Sequence, residues 1–284
     1  MKLFNYSTLY ARLDKSTRTL HITLNRSDRN NTINNEMLFE LESLLAWTTS
    51  KVEIQSILFD SSTNHFSWGL DPQKLPEMSA SQLEKFSLKL HKIMYAMMQM
   101  PQTIVMDLKD GAANWAMEFA LAADIRLCSV NADLRFDHTR FGLSPASGGA
   151  SFLTHFVSPA FAKNWLALGT TIPHSQLSAS GFISQSYDST NREDVIQTVL
   201  KNISAQAPVQ RIQTKLAVFE ALRPQIEASL VQDLKIAKAS RISEDWKNIK
   251  ADYQEDFMPA KSMAYSVKLS LIKNDENQRP ELDH

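Results

Sequence analysis

Apolar and polar residues alternate through Leu9-Tyr-Ala-Arg-Leu13 and Leu20-His-Ile-Thr-Leu24, the two-residue period of half-buried strands. The period then lengthens. Met37, Leu38, Leu41, Leu44 and Leu45 share one face of a helix that Asn34 or Asn35 can cap. Ser56-Ile-Leu-Phe59 reads as a strand, and residues 61–80, rich in Ser, Thr, Asn, Pro and Gly, as a long loop of the kind that carries function. A second helix is expected from about residue 80 to 99, ended by Pro101. Its methionines, Met94, Met97, Met98 and Met100, suit an adaptable pocket or plain core filling. Thr103–Leu108 is a strand, a helix follows from Trp115, and Asp124–Cys128 is the next strand. Such repeated strand–helix–strand units predict an α/β architecture with mostly parallel strands.

Pro159 and Gly169 bracket a further helix at its first-turn and C-cap positions. From about residue 190 the strand pattern stops. Val195, Ile196, Val199, Leu200 and Ile203 mark one helix, and Ile212, Leu216 and Phe219 another. A third is expected from Pro224 to Ala239 and a fourth around Trp246–Tyr253. The polar end, Asn274 to His284, is expected to fray. The chain therefore divides into a core over residues 1–190 and a helical subdomain over 191–284 suited to packing or assembly.

Composition narrows the classes. A chain of 284 residues, 43% hydrophobic and 21% charged, can bury the core of a soluble globular protein. Its formal net charge of −1 gives no electrostatic reason to expect nucleic acid or a membrane surface as partner. Cys128 is the single cysteine, which rules out an intrachain disulfide and a cysteine-based metal site and suits a reducing, cytoplasmic setting. Met-Lys-Leu-Phe-Asn-Tyr at the start lacks the apolar run of a secretory signal, and no apolar stretch approaches the length of a membrane span.

The chemistry concentrates in Trp115-Ala-Met-Glu-Phe-Ala-Leu-Ala-Ala-Asp-Ile-Arg-Leu-Cys128. Glu118 is a carboxylate early in an otherwise apolar helix. Burying it costs several kcal/mol unless a partner or a reaction uses the charge. It is either an acid/base group or a helix-start glutamate facing the dipole, half in water.

Four segments, in order, resemble the crotonase (enoyl-CoA hydratase/isomerase) superfamily. They are Leu24-Asn-Arg-Ser-Asp-Arg-Asn-Asn-Thr-Ile33, His65-Phe-Ser-Trp-Gly-Leu-Asp71, Glu118-Phe-Ala-Leu-Ala-Ala-Asp-Ile125 and Gly142-Leu-Ser-Pro-Ala-Ser-Gly-Gly149. The likeness runs from about residue 5 to 265. It implies a spiral of repeated β-β-α units followed by a C-terminal helical subdomain, assembled as a homotrimer or a hexamer. It also implies a coenzyme A thioester as substrate or ligand, with no covalently bound cofactor and no metal. Two backbone N–H groups, Leu70 and Trp115 by position, would form the hole that holds the thioester carbonyl oxygen. Arg29 and Asp71 would bind the coenzyme A part.

Two departures accompany the likeness. The family's Gly-Gly-Gly is here Asn114-Trp-Ala116, and Trp68 also replaces a small residue. Glycine there lets a ligand approach the backbone, whereas an indole must find room, with the acyl slot one candidate. The hydratases use two glutamates around one water. The first matches Glu118, but the second falls on His138, which can exchange protons near neutral pH or can be a loop histidine without a role. His91, on the methionine-rich helix, is a weaker candidate. Asp137 could orient His138 only if both side chains turned to one side, which strand neighbours do not do. The sequence thus supports a lyase or isomerase using Glu118 and His138, and equally a binder or assembly protein that has kept the fold and lost the chemistry.

Overall fold

The computed structural model describes residues 6–249. The segment Asn274–His284 and the end of the expected helix at Trp246–Tyr253 lie outside the described residues. The N-terminal half builds β1 (Leu9–Asp14), β2 (Thr19–Leu24), α1 (Asn35–Thr49), β3 (Ser56–Ser61), α2 (Ala80–Gln99) and β4 (Thr103–Asp107). Next come β5 (Gly111–Ala113), α3 (Trp115–Ala120), β6 (Ile125–Ser129), β7 (Asp133–Arg135), α4 (Pro159–Leu168), α5 (His174–Ser180) and β8 (Gln185–Tyr187). The chain then continues as α6 (Arg192–Ser204) and α7 (Pro208–Ser240).

Six strands form one sheet in the order β1-β2-β3-β4-β6-β8. Only the β1–β2 pairing is antiparallel; the rest are parallel, as crossover helices require. Edge strand β1 alternates buried and exposed positions over most of its length, while β2 is buried nearly throughout because helices or strands cover both its faces. The helix starts follow local rules. Asn34 caps α1 by accepting from Met37 N–H at 2.8 Å, and Ser79 with Gln82 makes a capping box at α2. Pro159 opens α4 and Gly169 closes it in the left-handed conformation. Met94, Met97, Met98 and Met100 are all buried in the main core.

Three short strands carry no clear sequence pattern: β5, β7 and β8. The first two pair in parallel as a small second sheet, and that sheet leads the chain into the site. A second difference concerns α7. Two helices divided near Pro224 are expected, yet one helix runs through it. Proline removes one hydrogen bond and strains the preceding turn, but α7 is held on both sides of it. Before the proline, Lys215 Nζ donates to Gln102 O and pairs with Asp124 at 2.7 Å. Beyond it, Asp233 accepts from the Ala150 and Ser151 N–H groups, and Ile226 and Leu230 are buried. After α7 the chain turns back through Trp246, fully buried, whose indole N–H donates to Met78 O at 3.0 Å.

Candidate active site

β5 delivers the chain to Asn114, whose φ of 39° and ψ of −111° turn it sharply into α3. That conformation suits glycine, and a non-glycine residue held in it costs about 1–3 kcal/mol. What holds Asn114 there is its own side chain. Its Oδ1 accepts from Leu70 N–H at 2.6 Å and from Trp115 N–H at 2.7 Å. Its Nδ2 donates to Asp137 Oδ1 at 3.2 Å. The two backbone donors expected to receive a ligand carbonyl therefore do converge on one point, and that point already holds an amide oxygen of this chain.

The fit around that oxygen is close. Gly69, with φ of 65°, would place a Cβ only 2.1 Å from Asn114 Oδ1 and 2.4 Å from Ala113 O, so no other residue serves there. Asn114, Leu70 and Ala116 are all 0% exposed, so the amide is shielded from solvent.

Glu118 is also fully buried, and its charge is used. Oε1 accepts three backbone N–H groups of the Pro145–Gly149 turn: Ala146 at 3.0 Å, Ser147 at 2.7 Å and Gly149 at 3.0 Å. Oε2 meets His138 Nε2 at 3.2 Å. Gly149 is required for this approach, since a Cβ there would stand 2.8 Å from Glu118 Cγ. The structure thus brings Glu118 and His138 together as a buried pair. Three donors leave Oε1 no acceptor capacity for a water, and Oε2 is the oxygen that faces His138. His138 Nδ1 is buried with no hydrogen-bond partner among the described residues. Asp137 and His138 lie past the end of β7, so strand alternation does not govern them. Asp137 is bonded to Asn114 rather than to His138, and burial pushes its carboxyl above the usual range, partly offset by Arg135 and His138.

Beside the filled hole lies a cavity of about 400 Å³. Its mouth carries Arg26, Arg29 and Lys74, and its inner wall is Leu70, Phe86 and Trp115. Trp115 is 4% exposed and stacks on Phe86 with ring centroids 4.0 Å apart, closing the cavity at that end. Neither Glu118 nor His138 is among the lining residues. Arg29 and Asp71 both line the mouth, where Arg29 Nη1 donates to Gln73 Oε1 at 2.7 Å and Asp71 Oδ1 accepts from Gln73 N–H at 3.0 Å. Trp68 does not narrow this space: it stacks on His65 at 4.8 Å, with the Arg135 guanidinium 5.1 Å from its ring. His91 lines a separate groove between α2 and α7 with Tyr95 and Glu227, and burial lowers its pKa.

Residues 14–260 match the model of the family described as enoyl-CoA hydratase/isomerase. The chain belongs to that family. Among its relatives, the short-chain-enoyl-CoA hydratase of Clostridium acetobutylicum is 22% identical over 219 residues, 77% of this chain and 84% of that one. The 2,3-dehydroadipyl-CoA hydratase of Escherichia coli is 21% identical, covering 82% and 91%. In three dimensions the enoyl-CoA hydratase of Bacillus halodurans superposes with a TM-score of 0.78 at 19% identity, over 85% of this chain and 98% of that one. An enoyl-CoA hydratase/isomerase from Mycobacterium paratuberculosis gives 0.77 at 24%, over 87% and 98%. The fold is thus the crotonase fold, with mixed sheets and a long helix, α7, near the C-terminus.

The residue that sequence reasoning missed is Asn114. Trp115, the bulky newcomer in the glycine run, stands out first. The signal was nonetheless present: asparagine is among the few residues that tolerate positive φ, and it carries a carbonyl one residue before the Trp115 N–H.

Proposed function

We propose that this chain binds coenzyme A, free or carried in a thioester, in the cavity beside Trp115 and does not hydrate enoyl thioesters at a hydratase's rate. One observation carries the reading: Asn114 Oδ1 occupies the donors of Leu70 and Trp115. Hydration needs an oxyanion hole for the enolate, a base for water and an acid for the α-carbon. Loss of a single hole donor typically costs on the order of 10²–10³ in rate, and loss of a positioned acid/base group on the order of 10²–10⁴. Here both donors are taken, and Glu118 is committed to the turn at residues 146–149. Arg26, Arg29 and Lys74 give the mouth three cations against the carboxylates of Asp71 and Glu77, the latter paired with Lys74 at 3.2 Å, a net positive charge of the kind phosphates call for.

The test is hydration of crotonyl-CoA followed by loss of enoyl absorbance. We expect a rate at least 10³-fold below the roughly 1–10³ s⁻¹ range common to enzymes; turnover within that range overturns the reading.

The family resemblance adds an assembly, and α7 supports it. Val209, Val218, Leu222, Val231 and Ile236 are large apolar residues exposed along α7, surface that an assembly would cover. We propose a homotrimer, or a hexamer built from two, that covers part of this surface. Light scattering at micromolar concentration should give three or six chain masses, and a monomer mass contradicts the proposal. If coenzyme A in every form fails to bind, this assembling surface becomes the better guide to function.

The compartment proposed is cytoplasmic. It rests on the single cysteine, Cys128, which has no second cysteine to pair with and suits a reducing setting. No helix among the described residues is long and apolar enough to cross a membrane.

A further inference from the structure

We infer that the form of coenzyme A taken by this cavity is the free thiol, not a thioester; the inference rests on the proposal that the cavity binds coenzyme A at all. A thioester and a thiol share every group from the nucleotide to the sulfur. They differ in the acyl carbonyl and the carbons beyond it. A ligand lying along the cavity with its phosphates at Arg29 and Lys74 brings its sulfur to the inner end, against the stacked rings of Phe86 and Trp115. Sulfur is well suited to such aromatic walls.

The carbonyl of a thioester has no comparable welcome. The donors that would receive it, Leu70 N–H and Trp115 N–H, are held by Asn114 Oδ1 at 2.6 and 2.7 Å. Entry requires the Asn114 amide to leave both donors and its bond to Asp137. If the amide stays, the carbonyl is buried without a donor and the acyl carbons press on the Trp115–Phe86 stack. A buried unsatisfied carbonyl alone weakens binding on the order of tenfold. The same amide supplies the missing piece for a thiol ligand: it keeps both N–H groups bonded when no acyl carbonyl is present.

The test is calorimetric titration of the full-length protein with reduced coenzyme A and with butyryl-CoA, a saturated thioester that cannot be hydrated. We expect coenzyme A to bind about tenfold more tightly. A preference of fivefold or more supports the inference; a smaller ratio, or tighter binding of butyryl-CoA, overturns it while leaving coenzyme A binding intact. Failure of both ligands to bind overturns this inference and the reading beneath it together. Two variants locate the cause. Phe86→Ala widens the acyl slot but leaves the hole filled, so the thiol preference should persist. Asn114→Gly empties the hole, and the ratio should move at least tenfold toward butyryl-CoA. If that variant does not fold, as judged by circular dichroism, the wild-type ratio and the Phe86→Ala ratio decide the matter.

Discussion

Asn114→Gly should raise crotonyl-CoA hydration above the wild-type background by at least about tenfold, through restored hole donors that are each worth more than that in a complete active site. The gain stays well below full hydratase activity, because Glu118 faces His138 rather than a second carboxylate and Trp115 still closes the inner end of the cavity. Stability should fall. Glycine releases about 1–3 kcal/mol of strain at φ 39° and ψ −111°. Against this, the buried Leu70 and Trp115 N–H groups and the Asp137 carboxyl lose their partner, at about 1–3 kcal/mol apiece before water enters the emptied space. The losses outweigh the relief, so a lowered thermal midpoint is expected alongside the kinetic change. A folded variant that is no more active than wild type would show that the filled hole is not what limits turnover.

The second large effect is on stability. Glu118→Ala strips the partner from three buried backbone N–H groups and from His138. Buried donors left unpaired cost about 1–3 kcal/mol apiece, with some relief from water entering the space, so we expect a loss of at least about 3 kcal/mol. For a chain of this size that corresponds to a fall of roughly 6–12 °C in midpoint. Glu118→Gln keeps an oxygen for the three N–H groups and turns its amide to His138 Nε2, so its loss should be about 1 kcal/mol. Thermal denaturation of the pair separates a carboxylate that holds the 146–149 turn from one kept for proton transfer. Equal, small losses for both variants would speak against the structural role.

Much of the scaffold was legible because it is set by local pattern. The two-residue alternation at Leu9–Leu13 and the helical stripe from Met37 to Leu45 each name one element and one buried face. So do the Asn34 cap and the Pro159–Gly169 bracket. What escaped is set by tertiary contacts. β5, β7 and β8 are each 3 residues long, too short for any period to register. Pro224 reads as a helix break until the contacts of Lys215, Ile226 and Asp233 on either side of it are known. At the site, the structure brings the Leu70 and Trp115 N–H groups onto one point and sets Glu118 against His138. The state of those groups was not legible. Whether two N–H donors face a ligand or an internal amide depends on one side-chain torsion at Asn114, and whether Glu118 is spare or saturated depends on the path of residues 146–149. Residue identity alone does not encode either.

The most direct test of the filled hole is a crystal structure of the protein grown with excess butyryl-CoA. We expect Asn114 Oδ1 within hydrogen-bond distance of both Leu70 N and Trp115 N, with any bound thioester carbonyl outside the hole. A thioester oxygen bonded to those two N–H groups, with the Asn114 amide swung away, would contradict the filled hole.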